Sequence, residues 1–300
     1  MTTSPGMAAP LDADEQARLE DVARRIRVEV IRTVNHARGG HLGGPLSAAD
    51  ILAALYFRIL RIRPDEPDWP DRDRLILSKG HSSIGLYAAM ALRGYLPLEE
   101  LATFDAVHSR LQGHPDMNLL PGLDMSTGSL GMGISAGVGI ALGARLTGRD
   151  CRTFVILGDG ECQEGEVWEA AMVGARYGLD NLVAIVDHNK LQQYGWPGAS
   201  AEHRRPPEEP GELAAKWSAF GWRVLEMDGH DMAAVVATLE ATTRPEGRPV
   251  AVIAHTVKGR GVSFMEDRYY WHTRILQPEE YAQAMAELGE PVGSAEGEAR

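Results

Sequence analysis

Two oxygen-bearing side chains, Asp159 and Asn189, each follow a short apolar run and could together bind a metal ion. The run FVIL ends in GDG, which contains Asp159, and the run LVAIV ends in DHNK, which contains Asn189. A helical stretch over about residues 164–177 separates the two runs, and such a strand–helix–strand unit is parallel and right-handed. Ligands bind at the carboxyl edge of open α/β sheets, so we expect both side chains to converge there. A carboxylate, an amide oxygen and a nearby backbone carbonyl form a suitable partial shell for Mg²⁺, which commonly shares its ligands with phosphates.

The glycine turn between the first run and the helix is suited to a bound phosphate. Gly158 and Gly160 allow the backbone to approach a phosphate closely. The helix that follows directs its positive N-terminal end to the same place. Glu161 and Glu166 lie near the start of this helix, and we expect them to be solvated carboxylates favoured by the helix dipole.

The composition excludes several classes of protein. The chain has 300 residues, 44% hydrophobic and 24% charged, so it can bury a large core. Its net charge of −12 argues against a nucleic acid partner. The two cysteines, Cys151 and Cys162, fit neither a zinc motif nor a disulfide framework, and we expect buried, inert thiols. The N-terminus lacks the pattern of a secretory signal and no apolar run approaches a membrane span, so we expect a cytoplasmic protein with no membrane partner.

Apolar runs and helical periodicities alternate along the chain. Strands are predicted at residues 75–77, 154–157, 182–186, 222–227 and 249–254. Helices are predicted at about residues 14–37, 48–60, 83–93, 134–146, 164–177, 232–241 and 278–288. Ser47 is predicted to cap the second of these helices, Pro97 to open a further helix, and residues 197–210 to form a polar surface loop.

This alternation predicts the fold class and the domain organisation. We expect one α/β domain over residues 13–288, with a mostly parallel, doubly wound sheet and helices on both faces. Residues 1–12 are expected to be disordered, and residues 289–300 to form a flexible tail that is too polar and small to pack.

Seven motifs occur in an order that is typical of one family. They are GGHLGG around His41, SKGHSS around His81, QGHP around His114, TGSLGMG from Thr127, GDGECQEG from Gly158, DHN from Asp187, and the late His272. Together they resemble the N-terminal, diphosphate-binding half of transketolases, from about residue 14 to residue 288. A single GDG or His-Gly pair would be weak evidence, but the ordered series makes chance a poor explanation.

The resemblance implies thiamine diphosphate and Mg²⁺ as cofactors, with Ca²⁺ or Mn²⁺ as possible substitutes for Mg²⁺. The implied Mg²⁺ ligands are Asp159, the side chain of Asn189 and the backbone carbonyl of Leu191. The residues implied at the thiamine diphosphate are His81, Gly160 and His272 at the diphosphate, and Gly128 and Leu130 near its two rings.

The resemblance also implies a set of catalytic residues. His41 and His114 would face the reacting sugar carbons, with His272 contributing from the cofactor side. Glu164 matches the family's glutamate at the subunit contact, which links two active sites. Because histidine titrates near neutrality, a histidine cluster suits the proton transfers that accompany cleavage of a carbon–carbon bond. The remaining histidines are expected to have ordinary structural roles.

The family holds its cofactor between two α/β domains, and the second domain supplies a glutamate that activates the cofactor. Only 46 residues follow Ala254, too few for a second doubly wound domain. We therefore expect the N-terminal subunit of a split transketolase that acts on sugar phosphates. Its partner would be a separate C-terminal subunit that supplies the activating glutamate, in an α2β2 heterotetramer.

Three alternatives remain open on the sequence. The chain could be the α subunit of a thiamine diphosphate-dependent 2-oxo acid dehydrogenase, although His41 and His114 argue for sugar chemistry. It could belong to a hybrid enzyme that loads a two-carbon unit onto a carrier-bound thiol, or it could be a non-enzymatic scaffold. The donor and the acceptor sugar stay undetermined. Leu42, where proline is frequent in the family, and Lys79 before Gly80 depart from the common pattern without identifying a substrate.

Overall fold

Five short strands form one parallel sheet in the computed structural model, which describes residues 11–193 and 212–290. The strands are β1 (Arg74–Leu77), β2 (Thr153–Gly158), β3 (Leu182–His188), β4 (Arg223–Asp228) and β5 (Val250–His255). Their order across the sheet is β1-β2-β3-β5-β4, and every neighbouring pair is parallel. The expected α/β fold with a parallel sheet is thus confirmed.

Nine α-helices lie in the described part of the chain and cover both faces of the sheet. They are α1 (Ala13–Ala37), α2 (Gly43–Ser47), α3 (Ala49–Ala54), α4 (Ser83–Arg93), α5 (Met132–Leu146), α6 (Gly165–Arg176), α7 (Glu212–Ala219), α8 (Met232–Ala241) and α9 (Pro278–Glu287). Phe154 and Ile156 of β2 pack in a hydrophobic cluster with α1, α3, α4, α8 and α9. Val155 and Leu157 pack in a second cluster with α5, α6 and α7. Because successive strand residues point to opposite faces, the two clusters lie on opposite sides of the sheet, as a doubly wound fold requires.

The strand register places the polar residues that follow the strands at one edge. Gly158 at the end of β2 lies opposite Asp187 of β3, and His188 lies opposite His255 of β5. The loops that contain Asp159 and Asn189 therefore leave the sheet at the same level, as the sequence predicts.

The helix expected over residues 48–60 does not form as a single element, and Ser47 does not cap it. Ser47 is the last residue of α2, and its hydroxyl contacts the carbonyl of Gly44 and the carboxylate of Asp187. The hydroxyl is thus engaged by the sheet edge instead of by free helical N–H groups. After α3 the chain continues as a π-helical turn, Leu55–Ile59, and Pro97 precedes a 3₁₀ turn, Leu98–Thr103, instead of an α-helix.

Two of the sequence-based expectations concern the chain termini. Asp12, at the end of the segment expected to be disordered, caps α1 by accepting a hydrogen bond from the Glu15 amide at 2.8 Å. At the other end, Glu290 pairs with Arg24 at 3.2 Å. Residues 1–10, 291–300 and the loop expected at 197–210 lie outside the described residues.

Two further expectations concern membrane segments and the cysteines. None of the helices in the described ranges is long and apolar enough to cross a membrane. Cys151 and Cys162 are buried, as expected, and neither forms a disulfide within the described residues.

Candidate active site

A cavity of about 360 Å³ lies at the carboxyl edge of the sheet. It is lined by the loops that follow β1, β2, β3 and β5 and by the segments around the starts of α2 and α5. Every site residue expected from the sequence lines it except His114 and Glu164. The lining members of that set are His41, His81, Gly128, Leu130, Asp159, Gly160, Asn189, Leu191 and His272.

Three histidine rings meet in this cavity. The centroid of His41 lies 5.0 Å from that of His81 and 5.2 Å from that of His272, and the last two are 5.1 Å apart. The backbones on either side of the cavity hold His41 and His272 together, because the Leu42 amide donates to the His272 carbonyl at 3.2 Å. His114 is more distant, with its ring centroid 6.4 Å from that of His41. The structure therefore brings His41, His81 and His272 into one group and places His114 beside it.

Burial determines the protonation of this group. It lowers the pKa of His41 to about 4, with smaller contributions from His114 and Lys258. It lowers the pKa values of His81 and His272 to about 2, and neighbouring lysine charges act in the same direction. The three rings are therefore neutral near pH 7. A neutral imidazole has one nitrogen that donates and one that accepts, so the group can both donate to and accept from the hydroxyl groups of a ligand.

Glycines in the first two histidine motifs allow the loops to meet. A Cβ on Gly43 would lie 2.7 Å from Cγ of Lys258 and 3.1 Å from the Trp271 carbonyl. A Cβ on Gly80 would lie 2.7 Å from the Thr127 hydroxyl. A side chain at either position would separate the histidine loops from the loops that face them.

The oxygens of the expected metal site belong to two loops that are hydrogen-bonded to each other. Asp159 accepts from the Gly160 amide at 2.7 Å and from the Lys190 amide at 2.5 Å. Asn189 Oδ1 accepts from the Leu191 amide at 3.1 Å, and Lys190 between them has a positive φ of 64°. Burial, followed by the nearby Asp187, raises the pKa of Asp159 to about 6. A buried carboxylate in this position favours a bound cation.

These residues fit Mg²⁺, which prefers oxygen ligands. The expected set contains one carboxylate, one amide oxygen and one carbonyl. This set differs from metal sites that are built from three or more His, Cys, Asp or Glu side chains. No group of three such side chains that could hold a metal ion occurs in residues 11–193 and 212–290.

Two buried lysines line the cavity, and sequence reasoning missed their roles. Lys258 is 2% exposed, and its ammonium donates to the Leu191 carbonyl at 3.0 Å and lies 2.9 Å from His272 Nδ1. Burial lowers the pKa of Lys258 to about 8. Lys79 pairs with Asp187 and donates to the Gly44 carbonyl at 3.2 Å. Each lysine follows a strand closely and precedes a glycine, and this signal could have marked both as cavity residues.

The expectation that Glu161 is solvated is wrong. Its side chain is buried and accepts hydrogen bonds from the Gly131 amide at 2.9 Å, from the Gly158 amide at 3.1 Å and from the Ser78 hydroxyl. The reason is local, because residues 161–163 form a separate 3₁₀ turn that directs Glu161 inward before α6 begins. Glu166, in the first turn of α6, is half-buried and accepts from Ser135.

Glu164 and His114 lie beside the cavity instead of in its wall. Glu164 is exposed at the start of α6, and a Cβ on Gly131 would lie 2.9 Å from its Cβ. A Cβ on Gly128 would lie 3.5 Å from Cδ2 of His114, so His114 is close to the Gly128–Leu130 side of the cavity.

Residues 19–293 match the family model described as "Transketolase, thiamine diphosphate binding domain". The chain is 42% identical over 276 residues to the SqwG subunit of the 6-deoxy-6-sulfo-D-fructose transketolase of Clostridium sp. (strain MSTE9), with 92% of this chain and 98% of that protein covered. It is 40% identical over 280 residues to one subunit of the apulose-4-phosphate transketolase of Phocaeicola vulgatus, with 93% and 97% covered.

Among solved structures, the transketolase of Campylobacter jejuni superposes with a TM-score of 0.83 at 32% identity. The alignment covers 91% of this chain and 43% of that one, so this chain spans less than half of the solved transketolase.

Proposed function

This chain belongs to the transketolase family, and we propose that it is the diphosphate-binding subunit of a two-subunit transketolase. The proposed reaction moves a two-carbon ketol unit from a ketose or its phosphate to an aldose or another acceptor. The cofactors are thiamine diphosphate and Mg²⁺, and the chain is active only together with a pyrimidine-binding subunit.

The observation that carries this proposal is the common cavity. Neutral His41, His81 and His272 share it with the oxygens of Asp159 and Asn189. A hard-cation site would anchor a diphosphate, while neutral imidazoles beside it would handle the protons of a sugar. A site that binds only a phosphate would not need the neutral imidazoles.

Each part of the cavity has a role in the proposed reaction. Asp159, the Asn189 amide oxygen and the Leu191 carbonyl would hold Mg²⁺, and His81, Gly160 and His272 would contact the diphosphate, with Lys258 adding positive charge. Gly128 and Leu130 would lie against the rings. Bound thiamine diphosphate supplies the carbanion chemistry that cleaves the bond beside the ketose carbonyl.

The histidines carry the proton transfers of the proposed reaction. His41 would accept the hydroxyl proton of the donor sugar during cleavage and give it to the carbonyl oxygen of the acceptor aldehyde when the new carbon–carbon bond forms, with His114 and His272 binding neighbouring hydroxyls. Burial keeps the His41 pKa near 4, so at neutral pH the ring is neutral and has one nitrogen available as an acceptor.

The relatives support a separate partner. Two proteins that this chain matches over nearly their whole length are named transketolase subunits. The partner would supply the activating glutamate, and two copies of each subunit would form an α2β2 heterotetramer. Leu130, partly exposed in the cavity wall, and the exposed Glu164 near Gly131 are available for this contact.

An assay with purified components tests the proposal. The chain would be combined with thiamine diphosphate, Mg²⁺, an acceptor aldose and a donor, with and without a co-purifying partner. Donors to include are common ketose phosphates, 6-deoxy-6-sulfofructose and apulose 4-phosphate, since two relatives carry the last two names. We expect turnover only with the partner present. Robust turnover by the chain alone would contradict the two-subunit proposal, and failure to bind the cofactor with the partner present would contradict the proposed activity.

A further inference from the structure

Asp187 is a fully buried carboxylate that does not line the cavity and has no role in the proposed reaction. It lies in β3 two residues before Asn189, and its side chain contacts that residue, which is one of the expected metal ligands. Among the described residues, several side chains form hydrogen bonds with the Asp187 carboxylate. The groups directed at its two oxygens are the Lys79 ammonium, the Ser47 and Thr256 hydroxyls, and the Asn189 amide nitrogen.

The contacts of Asn189 favour one orientation of its side-chain amide. Asn189 Nδ2 donates to Asp187 Oδ2 at 3.2 Å and lies 3.5 Å from Ser47 Oγ. The opposite end of the amide, Oδ1, accepts from the Leu191 amide at 3.1 Å, and both Asn189 and Leu191 line the cavity. A carboxylate paired with an ammonium can only accept. Rotating the amide by half a turn would place Oδ1 against Oδ2, two acceptors in contact, and would leave Nδ2 against the Leu191 N–H.

The donors around Asp187 come from separate elements and hold it in place. Ser47 ends α2 and lies 2.6 Å from Oδ2, Thr256 follows β5 and donates to Oδ1, and Lys79 follows β1. Three different parts of the fold therefore determine the position of one carboxylate. Lys79, 2% exposed, also compensates the charge of Asp187, whereas Asp159 is the carboxylate of the two that lines the cavity.

We propose that Asp187 is a positioning residue that holds the amide of Asn189 with its oxygen toward the Mg²⁺ site. The inference rests on the proposed function, because it assumes that Asn189 binds the metal. Partners behind a metal ligand orient it, and replacing one typically lowers metal affinity by roughly 10- to 100-fold.

The test replaces the buried ion pair by apolar residues of similar size, in Lys79→Met/Asp187→Leu. Such a replacement of both partners is often neutral for stability, whereas loss of one partner leaves an uncompensated charge. Titration calorimetry would measure the apparent Kd for Mg²⁺ at saturating thiamine diphosphate, so that a change in diphosphate affinity does not enter. Thermal unfolding of the metal-free chain would be measured in parallel. We expect the Mg²⁺ affinity to fall by roughly 10- to 100-fold while the unfolding midpoint stays within a few degrees.

A matched pair of single variants covers the case in which the double variant does not fold. Thr256→Val removes a hydroxyl that donates to Asp187, and Thr153→Val removes a buried hydroxyl without a hydrogen-bond partner among the described residues. Relative to Thr153→Val, we expect Thr256→Val to weaken Mg²⁺ binding by at least about threefold, a fraction of the effect of the whole network.

The outcomes separate the inference from the proposed function. Unchanged Mg²⁺ affinity in a folded double variant, or equal affinity in the two threonine variants, would overturn the role of Asp187 alone. If the wild-type chain with its partner binds no Mg²⁺ and thiamine diphosphate, the proposed function is overturned, and the role of Asp187 is overturned with it.

Discussion

Glu161 connects three loops of the cavity, and removing its carboxylate should weaken both the fold and the site. Its oxygens accept from the amides of Gly131 and Gly158 and from the hydroxyl of Ser78. In Glu161→Ala the buried Gly131 amide and the partly buried Gly158 amide lose their acceptor, whereas Ser78 still accepts from the Gly133 amide. Each buried, unsatisfied N–H costs about 1–3 kcal/mol, so we expect a loss of about 2–6 kcal/mol in the free energy of unfolding.

This loss is large compared with the stability of an ordinary domain, about 5–15 kcal/mol. At about 2 °C per kcal/mol for a chain of 300 residues, the unfolding midpoint should fall by about 4–12 °C. Affinity for thiamine diphosphate should fall as well, because Glu161 holds the loop of Leu130 and Gly131 next to the loop of Asp159. Glu161→Gln retains one acceptor and should have an intermediate effect.

Thermal unfolding followed by circular dichroism, together with calorimetric titration of the cofactor, would measure both effects. Glu169→Gln is the matched control, because Glu169 is exposed on α6 and should leave both quantities unchanged. A Glu161→Ala variant whose midpoint and cofactor affinity equal those of the control would refute the reasoning.

Three further predictions concern a loop contact, an acid transition and the histidine group. Gly43→Ala places a methyl group 2.7 Å from the buried side chain of Lys258 and should lower the free energy of unfolding, measured by chemical denaturation, by about 1–3 kcal/mol. The control is Gly139→Ala in the middle of α5, where the methyl group would meet no atom within 4 Å and should raise the free energy of unfolding by about 0.5–1 kcal/mol. Burial alone would raise the pKa of Asp73, but Arg152 and Arg61 hold it below its usual value. The ionised Asp73 therefore stabilises the fold above about pH 4, and this stabilisation is lost as the pH falls through the lower pKa of the folded state. Asp73→Asn should flatten this acid transition in denaturation curves measured against pH. His41→Asn should lower kcat/KM of the complex by about 10²- to 10⁴-fold with cofactor affinity nearly unchanged, and equal losses in both quantities would contradict a role in proton transfer.

Much of the fold could be predicted from apolar runs. The FVIL and LVAIV runs are short and apolar throughout, and strands buried on both faces have this pattern. Their ends mark where Asp159 and Asn189 leave the sheet, so strand boundaries alone located these two side chains of the expected metal site. His41 and His81 could be found for a different reason. Their glycine-rich motifs occur in the order that is typical of the family, whereas hydrophobic periodicity gives no information about them.

The partners of the buried charges could not be predicted. Lys79 was only a departure from the family pattern, and Glu161 was expected in solvent, because helix-start carboxylates usually are solvated. Ser47 was expected to cap a helix, since its position before an apolar stretch fits that role. Each of these side chains contacts a residue that is remote in sequence, and local sequence patterns carry no information about such contacts.

The sequence alone determined which residue types stand at the carboxyl edge and which family they resemble, because strand ends and motifs are local. Only the tertiary structure decided how those residues are paired and charged. The strand order β1-β2-β3-β5-β4 brings Lys79 to Asp187 across 108 positions and Lys258 to Leu191 across 67. Burial at that edge then keeps His41, His81 and His272 neutral. Free histidines titrate near neutrality, so the low pKa values of these three rings are a consequence of desolvation, which only the packed fold creates.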